Sequence, residues 1–271
     1  MKNPGKRKSR QSKISFDKIK HTGQKRTERE SPSIVGMRLN KYVAHCGICS
    51  RRKAAEHIKE GLVKVNGAVV LEPFYQVQEN DQITFKDEAI QPEVQQVYIL
   101  MNKPKNTITT SSDERGRKTV LDLIGGKVKE RIFPVGRLDR ETTGLLLLTN
   151  DGDVAKKLSH PSHKVTKFYH AFLDKPLSKA HLQQIKEGLT LDDGPVEVDS
   201  ANYLNEKEKE AVGIELHLGR NRIVRRIFEH LGYEVLRLDR TYYAGLTKKD
   251  LPRGRWRFLS EREIIMLKHF T

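Results

Sequence analysis

Asp139 stands between Arg137 and Arg140 in the stretch GRLDRETTGLLLLTNDGD (136–153), a few residues ahead of four consecutive leucines. A carboxylate between two guanidinium groups at the edge of an apolar run has two physical readings. On a surface it is an ion pair worth under about 1 kcal/mol. At the edge of a core it is a buried reactive carboxylate kept ionised by its neighbours, because desolvation alone would raise its pKa. Other groups offer weaker chemistry. Cys46 and Cys49 form a lone C-x-x-C. Zinc needs two further ligands and a thioredoxin-type pair needs a βαβ setting, so small buried thiols in a helix-turn-helix are the better reading. His160 and His163 in LSHPSH suit a capped turn rather than a metal pair. DDGPVEVD (192–199) shares only its acidity with a calcium loop and reads as a hairpin turn. No metal site is expected.

The charge balance narrows the partners. The 271 residues carry 51 Lys+Arg against 35 Asp+Glu, a formal net charge of +16. Residues 1–36 hold 7 Lys and 4 Arg against 3 acidic residues and so supply half of that excess. Such basicity points to a polyanion. Nucleic acid is favoured over a membrane surface because no strongly amphipathic, aromatic-tipped helix appears. No apolar run approaches the roughly 20 residues that span a bilayer, and the first ten residues lack the apolar segment of a signal peptide. A soluble, cytoplasmic monomer without membrane contact is expected, since dimerisation heptads are also missing.

The elements that must position these groups follow from periodicity. Residues 1–36 are rich in Lys, Arg, Ser, Thr and Gln without apolar periodicity and read as a disordered basic arm. From Met37, Leu39, Tyr42, Val43 and Cys46 recur at helical spacing, with Gly47 as a C-cap. Ser50 caps a second helix whose Ala54, Ala55 and Ile58 face a core, and Gly61 ends it. LVKVNGAVV follows as two strands around an Asn-Gly turn, and DQITF closes the unit near residue 86. Two helices and a tight hairpin, with Arg38, Lys41, Arg51, Arg52 and Lys53 on the helices, resemble the S4 RNA-binding domain (37–86). The Ser-Arg-Arg helix start and the V-x-V-N-G turn both match. Basic residues at a helix start grip phosphate through charge and free N–H groups together.

Residues 87–96 are polar, contain a proline and read as a linker. VYILMNKP (97–104) is then an apolar strand. KFYHAFL, VGIELHL and YEVLRLDR alternate as strands, while SKAHLQQIKEGL and NRIVRRIFEHLG have helical spacing. Residues 97–271 are therefore expected to form an α+β domain with a mixed, largely antiparallel sheet.

Set together, GRLDRETTGLLLLTNDG, NKP (102–104), KFYHA (167–171), LGRNRIVRRIFEHLGYEVLRLDR (218–240) and the ending TYYAGLTKKDLPRGRWRFLSERE resemble the ribosomal RNA pseudouridine synthase family of the RsuA/RluB branch. The family's usual glutamine at position 223 is Ile223 here. The resemblance implies isomerisation of a uridine in ribosomal RNA, more often of the large subunit, on free RNA or an assembly intermediate, with base flipping and without a cofactor. It implies Asp139 as the nucleophile, Arg225 as its buried counter-charge, and Tyr169 as the residue that stacks on the base and serves proton removal. Lys103 and Pro104 match a first motif that shapes the floor of the site. Phosphate or substrate contacts are expected from Lys103, Arg137, Arg140, Lys167, Arg222 and Arg226. Without the resemblance, Arg222, Arg225 and Arg226 read as a basic helix face. A second reading is a non-catalytic S4-containing RNA-binding assembly factor, which the joint presence of Asp139, Tyr169 and Arg225 disfavours.

Overall fold

Where Leu39, Tyr42 and Val43 share one helical face, the chain forms its first helix, α1 (Leu39–His45), and buries all three. The computed structural model describes residues 34–93 and 95–269. Of the expected basic arm, residues 1–33 lie outside the described residues. Ile34 packs against the apolar cluster beneath α1, and Gly36 donates its N–H to the Val77 carbonyl at 2.8 Å, so the folded chain starts before Met37.

Helix α2 (Arg51–Lys59) is capped by Ser50, whose Oγ accepts from the Lys53 N–H at 3.2 Å. Ala54 and Ile58 are buried beneath it, whereas Ala55 is only half-buried. Strands β1 (Val63–Val65) and β2 (Ala68–Val69) turn at Asn66 and Gly67, with φ of +52° and +81°. These are the left-handed conformations that a two-residue hairpin turn needs. Strand β3 (Ile83–Phe85) pairs β1, and a second left-handed pair, Lys86 and Asp87, leads into β4 (Glu88–Ala89). The polar stretch expected to be linker from residue 87 thus begins as an edge strand. Two exposed residues carry no apolar alternation to reveal it. The rest of the connection is stitched down: the Glu93 N–H donates to the His45 carbonyl at 2.9 Å, and Asn150 Nδ2 donates to the Glu93 carboxylate at 3.0 Å.

The second part is one nine-stranded sheet with helices on both faces. In chain order its elements are β5 (Tyr98–Lys103), β6 (Phe133–Val135), β7 (Thr143–Thr149), α3 (Gly152–Ser159), β8 (Lys167–Leu173), α4 (Lys179–Glu187), β9 (Leu189–Leu191), β10 (Gly194–Val196), β11 (Ser200–Tyr203), β12 (Ala211–Leu216), α5 (Ile223–His230), β13 (Val235–Tyr243), β14 (Leu246–Thr247), β15 (Trp256–Phe258) and α6 (Glu261–Lys268). The main path runs β11-β12-β8-β13-β7-β5-β15, with β6 beside β7 and β14 beside β13, while β9 and β10 form a separate hairpin. Among the strand pairings of the described residues only β7–β13 is parallel. The domain is α+β with a mixed, largely antiparallel sheet.

The leucine run now has its reason. Leu146 and Leu148 point into the cluster that includes Ile227 and Phe228 of α5, while Leu145 and Leu147 point into the cluster of Val154, Leu158 and Leu267 from α3 and α6. A strand buried on both faces needs apolar residues at every position rather than at alternate ones. Each buried leucine side chain contributes roughly 1.5–3 kcal/mol. Gly144 opens this strand, because a Cβ there would overlap the Arg240 backbone across the parallel junction. Among the described residues no helix is long and apolar enough to cross a membrane.

Candidate active site

Asp139 lies in the loop between β6 and β7, and a buried lysine holds that loop from below. Lys103, at the end of β5, is 0% exposed. Its Nζ donates to the carbonyls of Asp139 at 3.0 Å, Arg140 at 3.2 Å, Thr142 at 2.8 Å and its own neighbour Pro104 at 3.1 Å. Burial pushes the Lys103 ammonium down to about 8, against the pull of Asp139 and Glu141. From the other side Thr109 Oγ1 donates to the Leu138 carbonyl at 2.8 Å. The groove contact expected of Lys103 is therefore corrected. Its ammonium is buried and engaged by four carbonyls, a strut under the Asp139 loop.

The Asp139 carboxylate itself is not buried: its side chain is 38% exposed. It opens into a cavity of about 360 Å³ lined also by Arg140, Glu141, Arg222, Arg225 and Val235. The pairing expected with Arg225 differs as well. Arg222 Nη1 is the guanidinium nitrogen in ion-pair range, 3.9 Å from the carboxylate. Arg225 shares the cavity, but its Nη1 donates to the Val235 carbonyl at 2.5 Å and its buried Nε has no partner among the described residues. The reason is local geometry. Arg222 takes a left-handed φ of +48° as the residue that starts α5, which places it outside the helix and beside the loop, whereas Arg225 lies one turn inside. Arg226 is committed elsewhere. It grips Asp193 with two nitrogens at 2.7 and 2.9 Å, and this hydrogen bonding holds the Asp193 carboxyl down to about 2. The acidic turn between β9 and β10 is thus an anchor for α5. Arg140 is exposed and donates to Asn106 Oδ1 at 3.1 Å, and Arg137 is exposed at the mouth of the next cavity.

That second cavity, of about 150 Å³, belongs to Tyr169. Tyr169 is the third residue of β8 and 8% exposed, on the face shared with Ala171 and Leu173, while Phe168 and His170 point to the opposite side. Lys167 and Arg240 border the cavity with it. Lys167 Nζ donates to the Val165 and His217 carbonyls at 2.8 and 2.9 Å, and burial, then the charge of Arg240, pushes its ammonium down to about 8. Arg240 had no place in the sequence reading. The available signal was a second RLDR at 237–240, repeating residues 137–140. In the sheet, Arg240 is the register partner of both Tyr169 and Gly144, and Gly144 is the partner of Lys103. One row across four strands therefore carries Lys103, Gly144, Arg240 and Tyr169.

On the S4-like part, Arg38, Arg51 and Arg52 are exposed, and Arg51 and Arg52 make no hydrogen bond or ion pair among the described residues. Arg38 stacks over the Phe74 ring at 5.2 Å. Lys53 pairs with Glu56 at 2.9 Å. Lys41 pairs with Asp153 of α3 at 2.9 Å, which ties the two parts together. Cys46 and Cys49 are free and half-buried, and burial pushes the Cys46 thiol up to about 12, far from the reactive thiolate. His160 Nδ1 accepts from the Ser162 N–H at 3.3 Å, the capped turn expected of LSHPSH. Among the described residues no three His, Cys, Asp or Glu side chains gather as a metal site.

Comparison with known proteins places this geometry. Residues 97–230 match the model of the family described as RNA pseudouridylate synthase, and residues 37–83 match the S4 domain. The ribosomal large subunit pseudouridine synthase B of Bacillus subtilis is 42% identical over 234 residues, 85% of this chain and 95% of that protein. The dual-specificity RNA pseudouridine synthase RluF of Escherichia coli is 34% identical over 238 residues, 85% of this chain and 78% of that protein. A crystal structure of a pseudouridylate synthase superposes with a TM-score of 0.61 at 28% identity, covering 85% of this chain and 99% of that one.

Proposed function

We propose the following reaction for this chain, which belongs to the RNA pseudouridylate synthase family and carries an S4 domain: it converts one uridine of ribosomal RNA, in the large subunit, into pseudouridine. The large-subunit assignment follows the 42%-identical Bacillus subtilis relative. The reaction breaks the N1–C1′ bond, turns the base and joins C1′ to C5. Nothing is oxidised or hydrolysed, so the chemistry needs no redox cofactor. The observation that carries the reading is the Asp139 loop, three of whose carbonyls are clamped by the buried Lys103, so that the Asp139 carboxylate faces a cavity lined by Arg140, Arg222 and Arg225 as well as Glu141 and Glu234.

Asp139 acts as the nucleophile at C1′. With 38% of its side chain exposed it is solvated in the free protein. The flipped nucleotide displaces that water, and Arg222 and Arg225 then remain beside the carboxylate as counter-charges. Tyr169 stacks on the base and serves removal of the C5 proton. Extruding the uridine costs a few kcal/mol. Contacts to phosphate offset this, and we assign them to Arg51, Arg52, Arg137 and Arg140, the exposed cations of the S4 helix and the site rim. The protein works in the cytoplasm, where ribosomal RNA is free or in assembling particles.

Asp139→Asn tests the assignment, since it keeps the shape and removes the nucleophilic charge. Single-turnover assays on ribosomal RNA lacking the modification should show product at background, with RNA affinity within about threefold of wild type because phosphate contacts dominate binding. Pseudouridine forming at the wild-type rate would remove Asp139 from the mechanism.

A further inference from the structure

The cavity beside Tyr169 is lined by four cationic side chains, Arg137, Lys167, Arg220 and Arg240; Arg220 pairs with Asp193 at 3.4 Å outside the lining, and Lys167 feels the charge of Asp199. Tyr169, Tyr243, Leu218 and Ile223 are among its walls, beside His160 and His217, and neither Asp nor Glu is in the lining. Arg240 is 3% exposed. Its Nε donates to the Leu145 carbonyl at 2.8 Å, its guanidinium lies 4.4 Å from the Tyr243 ring centroid, and one terminal nitrogen is buried without a partner among the described residues. Lys167 spends two donors on backbone carbonyls and has a third proton to give. Two like charges in a low-dielectric pocket are costly unless an anion joins them. Burial first, then the charge of Arg240, lowers the Lys167 pKa against the pull of Asp199.

The shape of the cavity selects the anion. A phosphodiester is tethered to sugars on both sides and stays at the mouth of a pocket, whereas a flipped base enters whole. Two tyrosine rings and two aliphatic side chains suit a planar base, and about 150 Å³ is room for one pyrimidine. The base acquires charge only during the reaction. When the N1–C1′ bond breaks, its electron pair leaves with N1, and the uracil becomes an anion delocalised onto its carbonyl oxygens. The C1′ left behind is held by a new bond to an Asp139 carboxylate oxygen. When C5 attacks C1′, that C–O bond breaks with its pair returning to the carboxylate, the C5 proton is removed and N1 takes up a proton.

We propose that Lys167 and Arg240 form an anion hole for the departing uracil, stabilising the detached base while it turns between Tyr169 and the sugar. The inference rests on the uridine isomerisation proposed above and adds two catalytic residues to it. Donors fixed in advance against a charge that exists only after bond cleavage lower the barrier without tightening ground-state binding.

The experiment measures single-turnover rate at saturating RNA, and RNA Kd at several salt concentrations, for wild type, Arg240→Met, Arg240→Lys and Lys167→Met. Unmodified ribosomal RNA carrying either uridine or 5-fluorouridine is the substrate, and the readout is loss of the N-glycosidic nucleoside. Each Met variant should lower the saturating rate on uridine by about 100-fold, with Kd and its salt dependence within about twofold of wild type. Arg240→Lys should recover part of the loss. The deficit should shrink on 5-fluorouridine, whose departing base is the more stable anion. Weaker binding with a shallower salt dependence and an unchanged saturating rate would overturn the proposal in favour of a phosphate grip. An equal deficit on both nucleosides would overturn it in favour of a packing role. If Arg240→Met does not fold, Lys167→Met decides by the same criteria. A wild-type protein that forms no pseudouridine at all is a different failure, that of the underlying reaction, and it removes the inference too.

Discussion

Arg51 and Arg52 on one side, and Lys103 on the other, are all cationic residues of a basic RNA-modifying protein, and their surroundings could hardly differ more. The two arginines stand in the first turn of α2, exposed and without an ion pair among the described residues. Their charge is left to solvent, open to the phosphate contact proposed above. Lys103 has no solvent, and its ammonium is held by four carbonyls, three of them from the loop that carries Asp139. Burial penalises its charge, and the fold tolerates that penalty because the same ammonium fixes the loop. The difference teaches that depth, more than sign, decides what a cation does here. On the proposed reading, surface charge sets affinity and its salt dependence, and buried charge sets geometry and rate.

Lys103→Met should give the largest effect and is the sharpest way to break this division. It leaves buried carbonyls without a donor, which costs about 1–3 kcal/mol. Chemical denaturation should show that loss, and single-turnover activity should fall to a small residue while RNA Kd holds. A variant that instead kept its rate and lost affinity would put Lys103 among the RNA contacts after all. The next test is pH. The Lys103 pKa is lowered in the fold, to about 8 from the ordinary 10.5. Between those values the unfolded chain binds more protons than the native one, so stability should rise with pH in this window. Below about pH 8 the group is protonated in both states and the burial penalty is felt in full. Compared with Lys103→Met, the wild-type stability should climb by up to about 1.4 kcal/mol per pH unit across this range. Equal slopes for the two proteins would mean that the lysine is as easily protonated in the fold as outside it.

Arg51→Ala with Arg52→Ala probes the other side of the comparison. Each phosphate left without its arginine should lower the slope of log K against log salt by about 0.9, and the rate at saturating RNA should not change. An unchanged slope would take the S4 helix out of the phosphate count. The smallest effect belongs to Lys41→Met. Its ion pair with Asp153 joins the two parts, and the Asp153 side of it is largely exposed, so stability should change by no more than about 1 kcal/mol, measurable as a small shift in the denaturation midpoint.

Much of this molecule is legible in its sequence, and each miss has its own physical reason. The Ser50 cap, the Asn66–Gly67 hairpin and the apolar strand at VYILMNKP follow from local rules, because each depends on residues close in sequence. Strand β4 escaped because Glu88 and Ala89 are exposed on an edge, where no apolar alternation is required. The site depends on register, which a sequence does not print. Arg240 becomes visible only once β13 pairs with both β7 and β8. Charge alone put Lys103 in the groove; its reach across the end of β5 to the carbonyls of a loop 36 residues on put it underneath. The exchange between Arg222 and Arg225 turns on one left-handed residue at the start of α5, a backbone choice that residue type does not dictate for arginine.

The row Lys103, Gly144, Arg240 and Tyr169 also sets a clock. Strand β13 is the seam of the sheet: without it, β5, β7 and β15 have no bond to β8, β12 and β11. It spans Val235–Tyr243 and enters the sheet beside a strand almost a hundred residues earlier. Closing so long a loop is slow compared with forming a hairpin. During synthesis, therefore, the S4-like part and the leucine strand can emerge and collapse while the site is still in two halves. A nascent chain would grip RNA before it could alter it, and catalysis would wait until the residues up to Tyr243 are free to pair.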